Sequence, residues 1–71
     1  MTSKYWLSTI DIHDDFGIPY NNVMYDAKTK MGPWANMSEE SWMKFTNQKL
    51  GLGIGQKYKK QIDGRWLKVA G

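Results

Sequence analysis

Seventy-one residues without a single cysteine have neither a disulfide nor a thiolate-held metal to brace them. Chains this short commonly rely on crosslinks, a metal or a partner subunit, or else concentrate large apolar side chains. This one has four Trp, four Tyr, two Phe and five Met. At roughly 1.5–3 kcal/mol for each large side chain fully buried, a core of these residues offsets much of the ordering entropy. The expected core is Trp6, Phe16, Tyr25, Trp34, Trp42, Phe45, Tyr58 and Trp66. The missing thiols also remove Fe–S clusters and thiol catalysis.

The chain divides by turn chemistry into an expected α+β arrangement within one domain over 1–71: two antiparallel hairpins and one short helix. Lys4 to Ile12 is rich in aromatic and β-branched residues and reads as a strand. His13-Asp14-Asp15-Phe16-Gly17-Ile18-Pro19 supplies a turn, and Val23 to Thr29 returns as the second strand of a first hairpin. Pro33, which restricts Gly32 as well as itself, ends that segment. Asn36, or nearly as well Ser38, caps a helix expected over about 38–48, with Glu39 and Glu40 in the positive field of its first turn. Trp42, Phe45 and Lys49 follow at helical spacing. After Gly51-Leu52-Gly53-Ile54-Gly55, where glycines let the backbone pass close over aromatic rings, Gln56–Gln61 and Arg65–Val69 flank Ile62-Asp63-Gly64. Asp-Gly between alternating runs is the strongest hairpin signal in the sequence. In it Tyr58, Ile62 and Trp66 are expected to face one way and the lysines the other.

Charge is unevenly divided. Residues 1–42 carry Lys4, Lys28 and Lys30 against Asp11, Asp14, Asp15, Asp26, Glu39 and Glu40, whereas residues 43–71 carry seven cations against Asp63 alone. The basic C-terminal hairpin, with Lys57, Lys59, Lys60, Arg65 and Lys68, is therefore the candidate partner-binding surface. The ordinary alternative is a solvated face whose lysines guard edge strands. Interleaved rings and cations also suit single-stranded nucleic acid, provided that the rings face outward.

Catalytic signals are weak. G-x-G-x-G lacks the spacing of a dinucleotide fingerprint, follows a helix and precedes no Walker Lys-Ser/Thr. His13-Asp14-Asp15 has no second histidine to complete a metal or acid–base cluster. No nucleophile setting stands out, so no enzyme activity, cofactor or metal is expected. No run approaches the roughly 20 apolar residues that cross a bilayer. The start MTSKYWLSTIDIHDD lacks the apolar core of a signal peptide, so no membrane association and a cytoplasmic location are expected.

Lys28-Thr29-Lys30-Met31-Gly32-Pro33-Trp34-Ala35-Asn36-Met37 and Gly51-Leu52-Gly53-Ile54-Gly55-Gln56-Lys57-Tyr58 resemble segments of a family of small bacteriophage proteins that look like miniature zinc ribbons. The likeness covers roughly residues 13–69. In the family a C-x-x-C follows the first segment and a C-x-x-C-G precedes it. At the matching positions this chain has Ser38 and Ser41, and His13 and Phe16. A neutral hydroxyl is a poor zinc ligand beside a thiolate. The resemblance therefore implies a zinc-ribbon-like but metal-free chain, with aromatic packing where coordination was. It further implies a phage-type accessory protein in the host cytoplasm that binds a host or viral protein, possible roles including inhibition of a host protein, nucleic-acid binding or virion assembly. Oligomeric state is left open.

Overall fold

Val23 to Lys28 alternates in a way that gives a strand something to bury on both sides, and that strand is the centre of the molecule. The computed structural model describes residues 5–6 and 10–71. Its elements run β1 (Val23–Lys28), β2 (Trp34–Met37), α1 (Glu39–Phe45), β3 (Gly55–Lys60) and β4 (Trp66–Ala70). The four strands make one antiparallel sheet in the order β2-β1-β3-β4, so the fold is α+β.

Successive residues of β1 point to opposite faces and feed two separate clusters. Tyr25 and Ala27 join Met37 beneath α1, with Val23, Ala35, Trp42, Phe45 and Leu50 around them. The Tyr25 and Trp42 rings stack there at 4.2 Å and 9°. On the other face Met24 packs with Tyr20 and Trp66, and Trp6, Ile10 and Tyr58 close over them. Trp6 meets Tyr58 edge-on at 5.4 Å, and Tyr20 meets Trp66 at 5.7 Å. Rings at these angles gain roughly 0.5–1.5 kcal/mol beyond area burial.

Both edges of the sheet are partly covered. On β2, the Asp15 amide donates to the Asn36 carbonyl at 3.0 Å, and the Asn36 amide donates to the Asp15 carboxylate at 2.8 Å. On β4, the Trp6 amide donates to the Trp66 carbonyl at 2.9 Å, and Tyr5 bridges Leu67.

Several sequence expectations need correction. The partner of Val23–Lys28 is not Lys4–Ile12: β1 pairs with β2 through the Thr29–Pro33 turn and with β3 on its other side. Residues 4 and 7–9 of the expected first strand lie outside the described residues, and Ile10 to Ile12 form no strand. The cause is local, since Pro33 ends the turn and frees Trp34 to Met37 to extend. Asn36 consequently lies in β2 opposite Asp26, and Ser38 caps the helix, its hydroxyl accepting from the Ser41 amide. The helix stops at Phe45, where the Thr46 hydroxyl donates to the Trp42 carbonyl at 2.6 Å and ends the ladder. Lys49 is therefore not on its stripe.

Gly55 approaches Ala27 and no ring: a Cβ at Gly55 would stand 2.6 Å from that of Ala27. Phe16 and Trp34 lie at the surface, 39% and 44% exposed, while Met24 and Met37 occupy the sealed positions that rings were expected to fill. Ile62 is wholly exposed at the β3–β4 tip, not on the Tyr58 and Trp66 side.

Met24→Ala and Met37→Ala are each expected to cost about 2–5 kcal/mol in urea unfolding, as buried truncations do. Ile62→Ala should stay within about 0.5 kcal/mol of the parent.

Candidate functional site

The β3–β4 hairpin forms where Asp-Gly placed it, but its cations do not share a face. Lys57 and Lys59 lie opposite Tyr25 and Val23 and so project on the α1 side of the sheet. Lys60 lies opposite Trp66 and Lys68 opposite Tyr58, on the side of the second cluster. The pleat dictates this, because Lys60 is two residues from Tyr58 and Lys68 two from Trp66. The expected separation of rings from lysines therefore fails for Lys60 and Lys68.

Two of the five cations have internal work. The Arg65 guanidinium sits 4.2 Å from the Tyr5 ring centroid, and its Nε donates to the Asp63 carboxylate at 2.8 Å. The Lys57 ammonium lies 5.5 Å from the centroid of Tyr25. Among the described residues Arg65–Asp63 is the only ion pair, so Lys59, Lys60 and Lys68 have no carboxylate partner there. Helix α1 contacts β1 and β2 only, leaving the Lys57 and Lys59 half of the sheet beside it uncovered by the helix.

The turn at His13–Gly17 is built around Asp14, a residue the sequence did not single out. The residue is 6% exposed. One carboxylate oxygen accepts from the Phe16 and Ile18 amides at 2.8 and 2.9 Å, and the other accepts from the Ser38 amide at 2.8 Å. Burial pushes this carboxyl up, but hydrogen bonds from the Ser41 side chain, the Ile18 and Ser38 backbone and the Ser38 side chain outweigh it and hold the group at about 2. Ser38 and Ser41 are buried, their hydroxyl oxygens 3.3 Å apart. Phe16 stacks on Phe45 at 4.2 Å, and His13 is exposed.

These four positions do not fit zinc: one imidazole, two hydroxyls already engaged and a hydrocarbon ring cannot supply a tetrahedral donor set. Among the described residues no group of three His, Asp or Glu is placed to hold a metal ion. Nor is there a described helix long and apolar enough to cross a membrane.

Electrostatics adds a polarity invisible in the linear sequence. Burial, then Asp15, Asp14 and Asp11, push the Tyr20 phenol up to about 12. Burial and then Asp15 also raise the Asp26 carboxyl. At the other end of β1, Lys28, Lys30 and Lys49 line an open cleft of about 400 Å³ together with Met31, Asn47 and Ile54. Lys28 and Lys30 belong to the acidic half of the chain and lie some twenty residues from Lys49, so no local motif announces the cluster.

The chain matches no family model, no curated protein and no solved structure.

Asp14 also makes stability depend on acid. The folded group titrates near 2 and the unfolded one near 3.8, so the folded state binds fewer protons. Its contribution is complete above the unfolded value and drains away as pH falls from 3.8 through 2. Asp14→Asn is expected to cost about 2–3 kcal/mol at neutral pH, the scale of hydrogen bonds to a buried charge. Urea unfolding near pH 2 should show that gap largely closed, whereas a gap independent of pH would assign the loss to packing.

Proposed function

We propose that this chain is a non-catalytic, phage-type accessory domain that docks on an acidic surface of a host or viral protein through its C-terminal hairpin. The observation that carries this reading is the state of the hairpin's side chains: Lys59, Lys60 and Lys68 lack described carboxylate partners while Tyr58 and Trp66 are committed to the core. Ammonium groups on both faces of a two-stranded frame, Lys59 on one and Lys60 and Lys68 on the other, attract anionic patches and accelerate encounter. Rings already packed against Met24 and Trp6 are not free to stack on bases, which favours a protein over single-stranded nucleic acid. Arg65 belongs to this surface as a brace, since it fixes the tip against Asp63 and Tyr5.

A zinc-ribbon ancestry with the metal lost is part of the same proposal. It is supported by Asp14, which joins the turn at His13–Gly17 to the Ser38–Ser41 segment by hydrogen bonds to both. Stoichiometric zinc in the purified protein, or melting on addition of chelator, would contradict it.

The functional test compares the parent with Lys59→Gln/Lys60→Gln/Lys68→Gln as bait in host lysate, alongside a titration of labelled single-stranded DNA. One dominant acidic partner, retained by the parent and lost with the triple variant or with added salt, is expected. Equal capture by both baits rejects the hairpin surface. DNA binding whose affinity falls steeply with salt would favour a nucleic-acid ligand instead.

A further inference from the structure

We infer that the cleft between the Thr29–Pro33 turn and the Thr46–Lys49 loop is a binding site for an oligophosphate anion, separate from the hairpin surface. The cleft brings together Lys28, Lys30 and Lys49 from two stretches of chain, with Asn47 as a neutral hydrogen-bonding group and Met31 and Ile54 as an apolar lip. No carboxylate is among its lining residues. None of the three lysines has an ion-pair partner among the described residues. The three lysines are exposed and bring positive charge to one open concavity, which attracts an anion by a field that salt screens.

The walls are set before any ligand arrives. The Lys30 amide donates to the Phe45 carbonyl at 2.8 Å, tying the turn to the end of α1. The Lys28 amide donates to the Ile54 carbonyl at 3.0 Å, tying it to the loop before β3. Within the turn, the Thr29 amide and hydroxyl both donate to the Pro33 carbonyl. Across the cleft, Gln48 holds a left-handed backbone conformation at φ 58, secured because its amide donates to the Thr46 hydroxyl and its side chain to the Met43 carbonyl. That conformation is unfavourable for a residue with a Cβ, and it sets the path of the backbone between Asn47 and Lys49.

The ligand class follows from the donors and the size. Lysine presents a compact charge with three rotatable donors, which suits phosphate oxygens from several directions; the planar guanidinium suits a single bidentate partner. A cleft of about 400 Å³ exceeds what one phosphate requires, and its three cations offset most of the charge of a linked phosphate chain, free or carried by a nucleoside whose base would meet Met31 and Ile54. The site lies where β1 ends and β3 begins, whereas the 61–65 tip of the hairpin is at the far end of β3.

The test is a titration of the isotope-labelled protein with inorganic tripolyphosphate at moderate salt, followed by amide shifts, and repeated with a nucleoside triphosphate. Saturable shifts centred on 28–32 and 46–49 are expected. Binding should weaken about tenfold or more in Lys30→Gln/Lys49→Gln and stay unchanged in Lys59→Gln/Lys60→Gln. Tighter binding of the nucleotide with shifts at Met31 and Ile54 identifies a nucleoside-borne chain; equal affinity identifies the phosphates alone. Shifts that do not saturate, that centre on the hairpin, or that survive the Lys30 and Lys49 changes overturn the proposal. Because these arms read the cleft separately from the Lys59 and Lys60 surface, failure here leaves the hairpin reading intact, and the reverse.

Discussion

A single buried carboxylate joins parts of the chain that would otherwise meet only by apolar contact. Asp14 gathers amides from its own turn and the amide of Ser38, so it fixes where the chain leaves β2 and starts α1. Ser38 in turn caps the helix, and the helix carries Trp42 and Phe45 onto β1. A buried charge is tolerated when its hydrogen-bonding capacity is filled, and here it is filled from both sides of the junction. The helix is only seven residues long, too short to persist by propensity, so its place depends on this anchor and on ring stacking.

Where thiolates would hold a small domain together, this one uses two thin layers of packing around a central strand. Neither cluster is large. Met24 and Met37 are the largest fully sealed hydrophobic side chains among the described residues, with rings arranged around them. Methionine suits the task because an unbranched, polarizable side chain fills the irregular gaps left between rings. Trp6 and Trp42 each bury an indole N–H that has no acceptor among the described residues.

What the sequence disclosed was mostly local. Asp63-Gly64 announced the second hairpin, Gly32-Pro33 announced a turn, and Glu39 and Glu40 announced a helix start, although Asn36 was the preferred cap and Ser38, the second choice, is the one used. What it concealed depended on chain segments meeting. A four-residue β2 after a proline reads as a loop until β1 is seen to need a neighbour on that side. Asp14 looks like one polar turn residue among several until Ser38 is brought to it. The hairpin lysines were legible by type but not by direction, because the faces of a strand are named only by what packs on each. Lys28 and Lys30 counted as minor exceptions in an acidic half, and only the fold sets them beside Lys49.

The covering of the sheet margins by Asp15 and by Tyr5 and Trp6 bears on behaviour at high concentration. An open margin invites another chain to add as a further strand and so to seed fibrils. On β2 the side chain and backbone of one aspartate occupy the Asn36 donor and acceptor that such an intruder would need. A second copy approaching either margin therefore meets backbone groups already engaged, at Asn36 on one side and at Trp66 on the other.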